Sequence, residues 1–257
     1  MTQAVEAFRH MAQGKHVGKN VLTFEGVDAR VAPCADDSAR FRRDGTYLVT
    51  GGAGGFCLEI ARWMARHGAG GLVLMSRTGP RDEAAQRAIE QMRTEGAKVV
   101  DARGDVTRVE DVRRVLRESL QGMPPLRGVL HGAMVLDDEF IVDLDEPRLR
   151  RVFEVKAAGA WNLHRETLSL PLEHFICFSS ISSVAGAPRQ GAYNAGNGFL
   201  DALAHYRHAR GLPALVVNWG AILGAGYIER TPKAGEYLRK VGTIPLPLSE
   251  ALDLFAE

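Results

Sequence analysis

Short apolar runs alternate with amphipathic stretches along most of the chain between residues 47 and 218. Apolar residues that recur every three to four positions predict helices, whereas short continuous apolar runs predict buried strands. The predicted strands are residues 47–49, 71–75, 98–101, 128–131, 173–179 and 214–218. The predicted helices are a segment after the first strand, then residues 81–94, a helix opened by a capping box at Thr107–Glu110, and residues 147–168 and 191–210. Buried strands separated by helices favour a parallel sheet covered on both faces. The sequence therefore predicts an α/β fold, a Rossmann-type doubly wound parallel sheet.

The two ends of the chain follow a different pattern. Residues 1–43 contain a predicted helix at 4–13, a predicted strand at 19–24 and a polar stretch typical of a linker. A helix and one strand cannot build a core alone, so they either dock on the main domain or form the tail of a neighbouring one. After Trp219 the pattern weakens until a helix at 249–255, and no seventh strand is visible. The predicted domains are therefore residues 1–43 and residues 44–257.

Composition narrows the class of protein. With 257 residues, 46% hydrophobic content and a formal net charge of +1, the chain resembles an ordinary globular protein and offers no basic surface for nucleic acid. No apolar run is long enough for a membrane span, and the N-terminus lacks the apolar core of a signal peptide. The three cysteines show no metal-ligand spacing. We therefore expect a cytoplasmic protein without a metal site, a nucleic-acid partner or a membrane partner.

A glycine-rich turn follows the first predicted strand. It reads Gly51-Gly52-Ala53-Gly54-Gly55 and leads directly into the amphipathic helix that begins near Phe56. Such a turn lets backbone N–H groups approach a pyrophosphate, and the helix N-terminus adds a partial positive charge. This stretch predicts a dinucleotide site.

Four polar residues interrupt the local patterns on the side that this turn serves. Lys156 lies on the apolar stripe of helix 147–168, and Ser180 follows the fifth strand. Tyr193 and Asn197 share one inward face of the next helix. Each has a structural explanation: a lysine stem can reach the helix edge, serines form turns, and buried Tyr or Asn can be satisfied polar groups. Those explanations do not account for the convergence of all four, which indicates a catalytic site.

Several ordered motifs resemble the ketoreductase domains of polyketide synthases, which are short-chain dehydrogenase/reductases. They are TGGAGGFCLEIARWMARHGA, HGAMVLDDEF, VKAAGAWNLH, FSSISSVAGAPRQGAYNAGNGFLDALA and VNWGA. The family's Lys, Ser, Tyr and Asn fall here on Lys156, Ser180, Tyr193 and Asn197. Stand-alone short-chain reductases carry Tyr-x-x-x-Lys, whereas this chain has Tyr193-x-x-x-Asn197, as the synthase domains do.

The resemblance implies NADPH-dependent reduction of the β-keto group of an acyl chain on an acyl carrier protein. Tyr193 would be the general acid, and Ser180 would position the carbonyl oxygen. Lys156 would favour the ionised form of the tyrosine and hold the nicotinamide ribose, with Asn197 fixing the lysine or a relay water. Two rival hypotheses remain: a catalytically silent scaffold domain in a megasynthase, and a free-standing alcohol dehydrogenase.

Further cofactor contacts are implied after the next three strands. Ser76-Arg77 stands where NAD enzymes often carry an acid, and an arginine suits the 2′-phosphate of NADPH. Asp105-Val106 resembles the pair that flanks the adenine, and His131-Gly132-Ala133 would line the nicotinamide ribose.

The motif Leu136-Asp137-Asp138 resembles the fingerprint of B-type ketoreductases, which implies a D-configured β-hydroxyl. The tryptophan of the A-type is replaced by Ala185. The alternative is that Asp137 and Asp138 only cap a helix.

Residues 4–24 resemble the end of an enoylreductase domain, which implies a neighbouring enoylreductase and an upstream structural half of the ketoreductase as partners.

The glycine-rich turn departs from the family at one position, where Cys57 replaces the last glycine. A buried cysteine could be tolerated with a slight outward shift of the helix, or it could loosen cofactor binding. A reactive thiol is the third alternative, because helix N-termini lower thiol pKa values.

Overall fold

The computed structural model describes residues 4–14, 41–226, 229, 231, 235, 238, 240 and 242–256. The chain divides into two units, Met1–Ser38 and Ala39–Glu257. In the first unit, helix α1 spans Ala4–Ala12, close to its predicted bounds. The strand predicted at 19–24 lies outside the described residues.

The second unit contains a six-stranded parallel sheet. Its strands are β1 (Thr46–Thr50), β2 (Gly71–Ser76), β3 (Lys98–Arg103), β4 (Leu126–His131), β5 (His174–Ser180) and β6 (Leu215–Trp219). They lie in the order β3-β2-β1-β4-β5-β6, and every neighbouring pair is parallel. The strand order reverses between β1 and β4, which is the point where doubly wound sheets bind their ligands. The predicted fold class is confirmed.

Helices cover both faces of this sheet. They are α2 (Gly55–Arg66), α3 (Glu83–Thr94), α4 (Val109–Ser119), α5 (Glu146–Glu166), the short α6 (Ser182–Ala185), α7 (Gly191–His208) and α8 (Leu248–Ala256). Alternate residues of each strand serve the two faces. On β1, Tyr47 and Val49 join a core with α2 and α3, whereas Leu48 joins the core beneath α4, α5 and α7.

Three local features differ from the sequence prediction. The prediction that a capping box at Thr107 opens α4 is wrong. The helix begins at Val109, and the Thr107 hydroxyl donates to Asp105 at 2.8 Å. The predicted stripe of α5 begins at Val152 rather than at Leu149, which is 38% exposed. A short parallel pair, β7 (Ile222–Leu223) with β8 (Leu246–Pro247), was not predicted and forms a separate sheet just before α8.

Within the described part of the chain, no helix combines the length and apolar character needed to cross a bilayer. In the same residues, no group of three or more His, Cys, Asp or Glu side chains is arranged to hold a metal ion.

Candidate functional site

A cleft opens at the carboxyl ends of the central strands. The glycine turn forms its floor, and the segments that follow β2, β3, β4, β5 and β6 form its walls. Predicted site residues in its lining are Gly51, Ala53, Gly54, Gly55, Phe56, Ser76, Arg77, Asp105, Val106, Gly132, Ala133, Leu136, Asp138, Lys156, Ser180 and Tyr193. The sequence therefore located the cleft from residues that are distant along the chain.

The glycine turn is shaped for a ligand. Gly51 has a φ of +74°, and a Cβ there would lie 3.1 Å from the Cα of Ala133, so glycine is required on both grounds. A Cβ on Gly54 would meet no protein atom within 4 Å, and no side chain caps α2 at this residue. The first N–H groups of α2 and its partial positive charge therefore face open space. These features fit the pyrophosphate of a dinucleotide.

Cys57 packs against Gly132 across the turn. A Cβ built on Gly132 would lie 2.2 Å from the Cys57 sulfur, so that sulfur fills the space left by the missing side chain. Burial raises the pKa of the Cys57 thiol to about 11, despite the opposing effect of Lys156. The raised pKa disfavours the alternative of a reactive thiol at this helix N-terminus, and the absence of a side chain at Gly132 leaves room for the Cys57 sulfur.

Lys156 is enclosed by protein and is only 2% exposed. Its Nζ donates to the carbonyl of Phe178 at 2.6 Å and lies 5.8 Å from the centre of the Tyr193 ring. Burial lowers the pKa of Lys156 to about 8. The ammonium has three N–H donors. The alternative that the Lys156 stem carries its amine to the edge of the helix is wrong, because the side chain is enclosed.

His131 lies beneath the cleft and not in it. Its side chain is fully buried, with Nδ1 2.7 Å from the Thr50 hydroxyl and Nε2 3.2 Å from the Lys156 carbonyl. A carbonyl only accepts, so Nε2 carries the proton and the Thr50 hydroxyl donates to Nδ1. Burial and the Lys156 charge lower the pKa of His131 to about 3, which keeps the ring neutral. Of the predicted segment His131-Gly132-Ala133, the two small residues line the cleft, whereas the His131 side chain connects β1 and β4 to α5.

Ser180 and Tyr193 lie together on the opposite wall. The Ser180 oxygen accepts from the N–H of Ser182 at 3.2 Å and from its hydroxyl at 3.0 Å, which leaves the Ser180 proton free to donate. The pKa of Tyr193 is raised, mainly by burial and also by the Asp138 charge. Hydrogen bonding with Asn197 and Ser180 opposes this rise but does not cancel it. The expected help of Lys156 in releasing this proton during the reaction stays a prediction.

Asn197 is fully buried one turn after Tyr193. Its Nδ2 donates to the Tyr193 carbonyl at 3.0 Å, which fixes the orientation of the amide. Among the described residues its Oδ1 has no hydrogen-bond partner. A buried acceptor without a partner can bind a water molecule or a ligand hydroxyl.

The two remaining cofactor segments differ in their local bonding. The Arg77 side chain is exposed at the cleft and makes no hydrogen bond or ion pair with any described residue, so its guanidinium is available to an anion. Asp105 accepts from the N–H and the hydroxyl of Thr107, and its own N–H donates to Asp111 at 2.9 Å. Those bonds hold the turn that presents Val106.

The two acidic residues of the stereochemical motif point in different directions. Asp138 lines the cleft and accepts from Gln190 Nε2 at 3.2 Å, whereas Asp137 faces Arg148 and Arg151 on α5. Residues 132–138 form no helix, so the alternative that both acids cap one is wrong.

Sequence reasoning missed several residues that support the site. They are Thr50, Arg148, Ser182, Arg189 and Gln190. Only Thr50 carried a usable signal, as a polar residue at the end of a buried strand. The others act through side-chain bonds between elements, which no local pattern reveals.

Comparison with known proteins gives consistent matches. A family model described as "KR domain" matches residues 45–224. The chain is 40% identical over 220 residues to a phenolphthiocerol/phthiocerol polyketide synthase of Mycobacterium tuberculosis, covering 84% of this chain and 10% of that protein. It is 39% identical over 255 residues to a highly reducing polyketide synthase of Aspergillus terreus, covering 97% of this chain and 10% of that protein.

The chain thus spans about a tenth of the length of these relatives. A solved structure described as A-type ketoreductases from a modular polyketide synthase aligns with a TM-score of 0.80 at 33% identity. That alignment covers 88% of this chain and 48% of that one.

Proposed function

Because the chain belongs to the KR domain family, whose model spans residues 45–224, we propose that it reduces the β-keto group of a carrier-bound acyl chain to a hydroxyl with NADPH. The observation that carries this proposal is the convergence of Lys156, Ser180 and Tyr193 on one cleft floored by an uncapped helix N-terminus. The substrate is a β-ketoacyl thioester on the phosphopantetheine arm of an acyl carrier protein.

Tyr193 is the general acid. Because its pKa is raised, the hydroxyl is protonated near neutral pH and can donate to the carbonyl oxygen as negative charge grows there. The free proton of Ser180 hydrogen-bonds the same oxygen and fixes its position between the two hydroxyls. NADPH, when bound, supplies the hydride.

Lys156 stabilises the charge that Tyr193 acquires on giving up its proton. Its Nζ lies close to the tyrosine ring, and with a pKa of about 8 the amine is mostly protonated at pH 7. Its remaining donors hold the ribose hydroxyls of the cofactor. The free Oδ1 of Asn197 accepts from Lys156 or from a water molecule that returns a proton to the tyrosine.

The preference for NADPH over NADH rests on Arg77. Its guanidinium is exposed at the cleft after β2, with Ser76 beside it, and is unpaired among the described residues. A planar guanidinium binds a phosphate through two parallel hydrogen bonds. An arginine in this place therefore favours the cofactor that carries a 2′-phosphate.

The product is the D-alcohol of the B-type. Leu136 and Asp138 line the cleft beside Tyr193, and Ala185 leaves room where the A-type has a tryptophan. Chiral analysis of the alcohol formed from a racemic 2-methyl-3-ketoacyl thioester tests this part, and an L-alcohol would refute it while leaving the reductase activity intact.

We also propose that residues 1–43 are the tail of an enoylreductase domain and a linker, and that residues 44–257 are the catalytic ketoreductase domain. The match to the highly reducing synthase supports this proposal, because it extends over 97% of the chain, beyond the family model. The neighbouring partners are then that enoylreductase and the structural half of the ketoreductase.

Substitution of the general acid tests the reaction directly. Tyr193→Phe removes only the hydroxyl, so turnover of NADPH with a β-ketoacyl thioester is expected to fall by about a hundredfold or more, the scale of losing a general acid. NADPH binding, followed by fluorescence titration, is expected to persist.

Near-normal turnover of Tyr193→Phe would refute the assignment. Binding of NADPH by the unmodified protein without any turnover would favour the silent scaffold instead.

A further inference from the structure

One wall of the cleft is an irregular segment, residues 136–140, which we call the wall segment. Its regular pairing is limited to one isolated bridge between Glu139 and Gln190. Leu136, Asp138 and Phe140 line the cleft, whereas Asp137 and Glu139 do not. This alternation is that of an extended chain, in which successive side chains point to opposite sides.

The side of the wall segment away from the cleft is bound to α5. Arg148 donates through Nη2 to Asp137 at 3.1 Å and through Nη1 to Glu139, and Arg151 also donates to Asp137. The side chains of Asp137 and Glu139 are 18% and 19% exposed, whereas Arg148 is 32% and Arg151 57% exposed, so these ion pairs lie at the edge of the protein with their carboxylates turned inward. One guanidinium thus joins two carboxylates that are two residues apart.

The wall segment is also bound to the loop that precedes α7. The N–H of Glu139 donates to the carbonyl of Arg189 at 2.8 Å, and Arg189 Nη2 donates to the carbonyl of Asp138 at 3.2 Å. Arg189 has a φ of +65°, which no other non-glycine residue in the described part of the chain shares. A strained backbone of this kind persists only where surrounding bonds impose it. The wall segment and the loop that leads into α7, the helix that carries Tyr193, are therefore fastened to each other.

From these contacts we infer that Arg148 is a positioning residue that sets the stereochemical fidelity of the reduction. Arg148 does not line the cleft. It holds Asp137 and Glu139 on the α5 side, and so keeps Leu136 and Asp138 in place on the cleft side. This inference rests on the proposed function, because it concerns the orientation of the ketone beside Tyr193.

The test compares variants of two arginines on the same helix. Arg148→Gln removes the guanidinium that binds both carboxylates. We expect the ratio of the major to the minor alcohol from a racemic 2-methyl-3-ketoacyl thioester to fall at least tenfold. Turnover of cyclohexanone, which has no chain to orient and gives an achiral alcohol, is expected to stay within twofold. Arg148→Lys should lie between, because one ammonium cannot reproduce the planar fork.

The matched control is Arg150→Gln. Arg150 also pairs with two carboxylates, Glu146 and Glu154, but on the exposed side of α5. Its loss should leave the alcohol ratio unchanged.

A second measurement does not depend on turnover. Because the N–H of Glu139 bonds to Arg189, its amide hydrogen exchange should quicken at least tenfold in Arg148→Gln and not in Arg150→Gln. An unchanged alcohol ratio together with unchanged exchange in Arg148→Gln would overturn the inference. Equal loss of thioester and cyclohexanone turnover would also overturn it, because that result indicates a structural role only. An unmodified protein that reduces neither ketone contradicts the proposed function, and the exchange result then still decides about Arg148.

Discussion

At the scale of single residues, Cys57 and Gly132 behave as one packing unit. The sulfur occupies the space that a side chain at residue 132 would need, with only 2.2 Å to the position of a Cβ. A cysteine at the last position of the glycine turn is therefore accommodated by a glycine on the neighbouring strand end. The effect of Cys57 on cofactor binding stays a prediction.

A double-mutant cycle tests this pairing. Cys57→Gly leaves a gap, and Gly132→Ala forces a clash, so each is expected to lower the free energy of unfolding by about 1–3 kcal/mol in urea titrations. The double variant should lose less than the sum, by at least about 1 kcal/mol, because the new methyl group fills the gap. Strictly additive losses would show that the two side chains are independent.

Residue-scale predictions from the sequence succeeded where a residue broke its local pattern. Lys156 was visible as a cation on an apolar stripe, and the structure encloses it. The neutral tautomer of His131 was not visible, because it depends on Thr50 and on a carbonyl of α5, and no periodicity reports contacts between elements.

At the scale of elements, the start of α5 links helix stability to the wall segment. Asp145 caps this helix by accepting from the N–H of Arg148 at 2.8 Å. The residue that holds the wall segment is thus also the residue whose backbone is capped. Fraying of the first turn of α5 should therefore release Asp137 and Glu139.

Removing this cap tests the link. Asp145→Ala is expected to lower the free energy of unfolding by about 1 kcal/mol, the usual cost of losing an N-cap. It should also quicken amide hydrogen exchange at Glu139. The matched control is Asp82→Ala, which removes the equivalent cap of α3, a 2.8 Å bond from Ala85 N–H, on a helix that makes no hydrogen bond to the wall segment among the described residues. Equal exchange at Glu139 in both variants would contradict the link.

Element boundaries followed from the sequence wherever periodicity and length agreed, as for β2 and α7. The start of α4 did not, because Asp105 captures the Thr107 hydroxyl that a capping box would need. The pairing of β7 with β8 could not be predicted from the sequence either, because a strand of two residues is too short to show an alternation of apolar and polar positions.

At the scale of the whole molecule, two buried neutral histidines make the fold sensitive to acid. Burial and the charge of Lys156 lower the pKa of His131, and burial and the charges of Arg207 and Arg210 lower that of His164. His164 Nδ1 lies 2.8 Å from Nη1 of Arg207. Protonation of His164 would therefore place two positive charges side by side between α5 and α7. Both rings must stay neutral for the helices to pack.

The sign of the pH effect follows from proton linkage. An unfolded histidine binds a proton below its ordinary pKa of about 6.5, whereas the folded forms resist protonation, so stability is full above pH 6.5 and is lost as pH falls. For His131 alone, with a folded pKa of about 3, the loss between pH 7.5 and pH 5 is about 2 kcal/mol. Urea unfolding at pH 7.5 and pH 5 measures it.

The contribution of His164 is separated by substitution. His164→Asn keeps an acceptor for Arg207 and should reduce the acid-induced loss. His208→Asn, at an exposed position of α7, should leave that loss as in the unmodified protein. A free energy of unfolding that stays constant from pH 7.5 to pH 5 would contradict the buried neutral state of both histidines.

Fold class was predictable because continuous apolar strands and intervening helices leave few alternatives to a doubly wound sheet. The position of the cleft followed from the same topology, since parallel strands bring their carboxyl ends to one edge. The shape of its wall was not predictable, because residues 136–140 depend on side-chain bonds to α5 and to the loop before α7.

The bond from Lys156 to the carbonyl of Phe178 has a mechanical consequence. Phe178 precedes Ser180 by two residues on β5, so the amine from α5 is anchored to the strand that carries the serine. Any shift of α5 over the sheet that keeps this bond leaves the amine at the same place beside β5. The position of the cation relative to Ser180 is thus set along one strand.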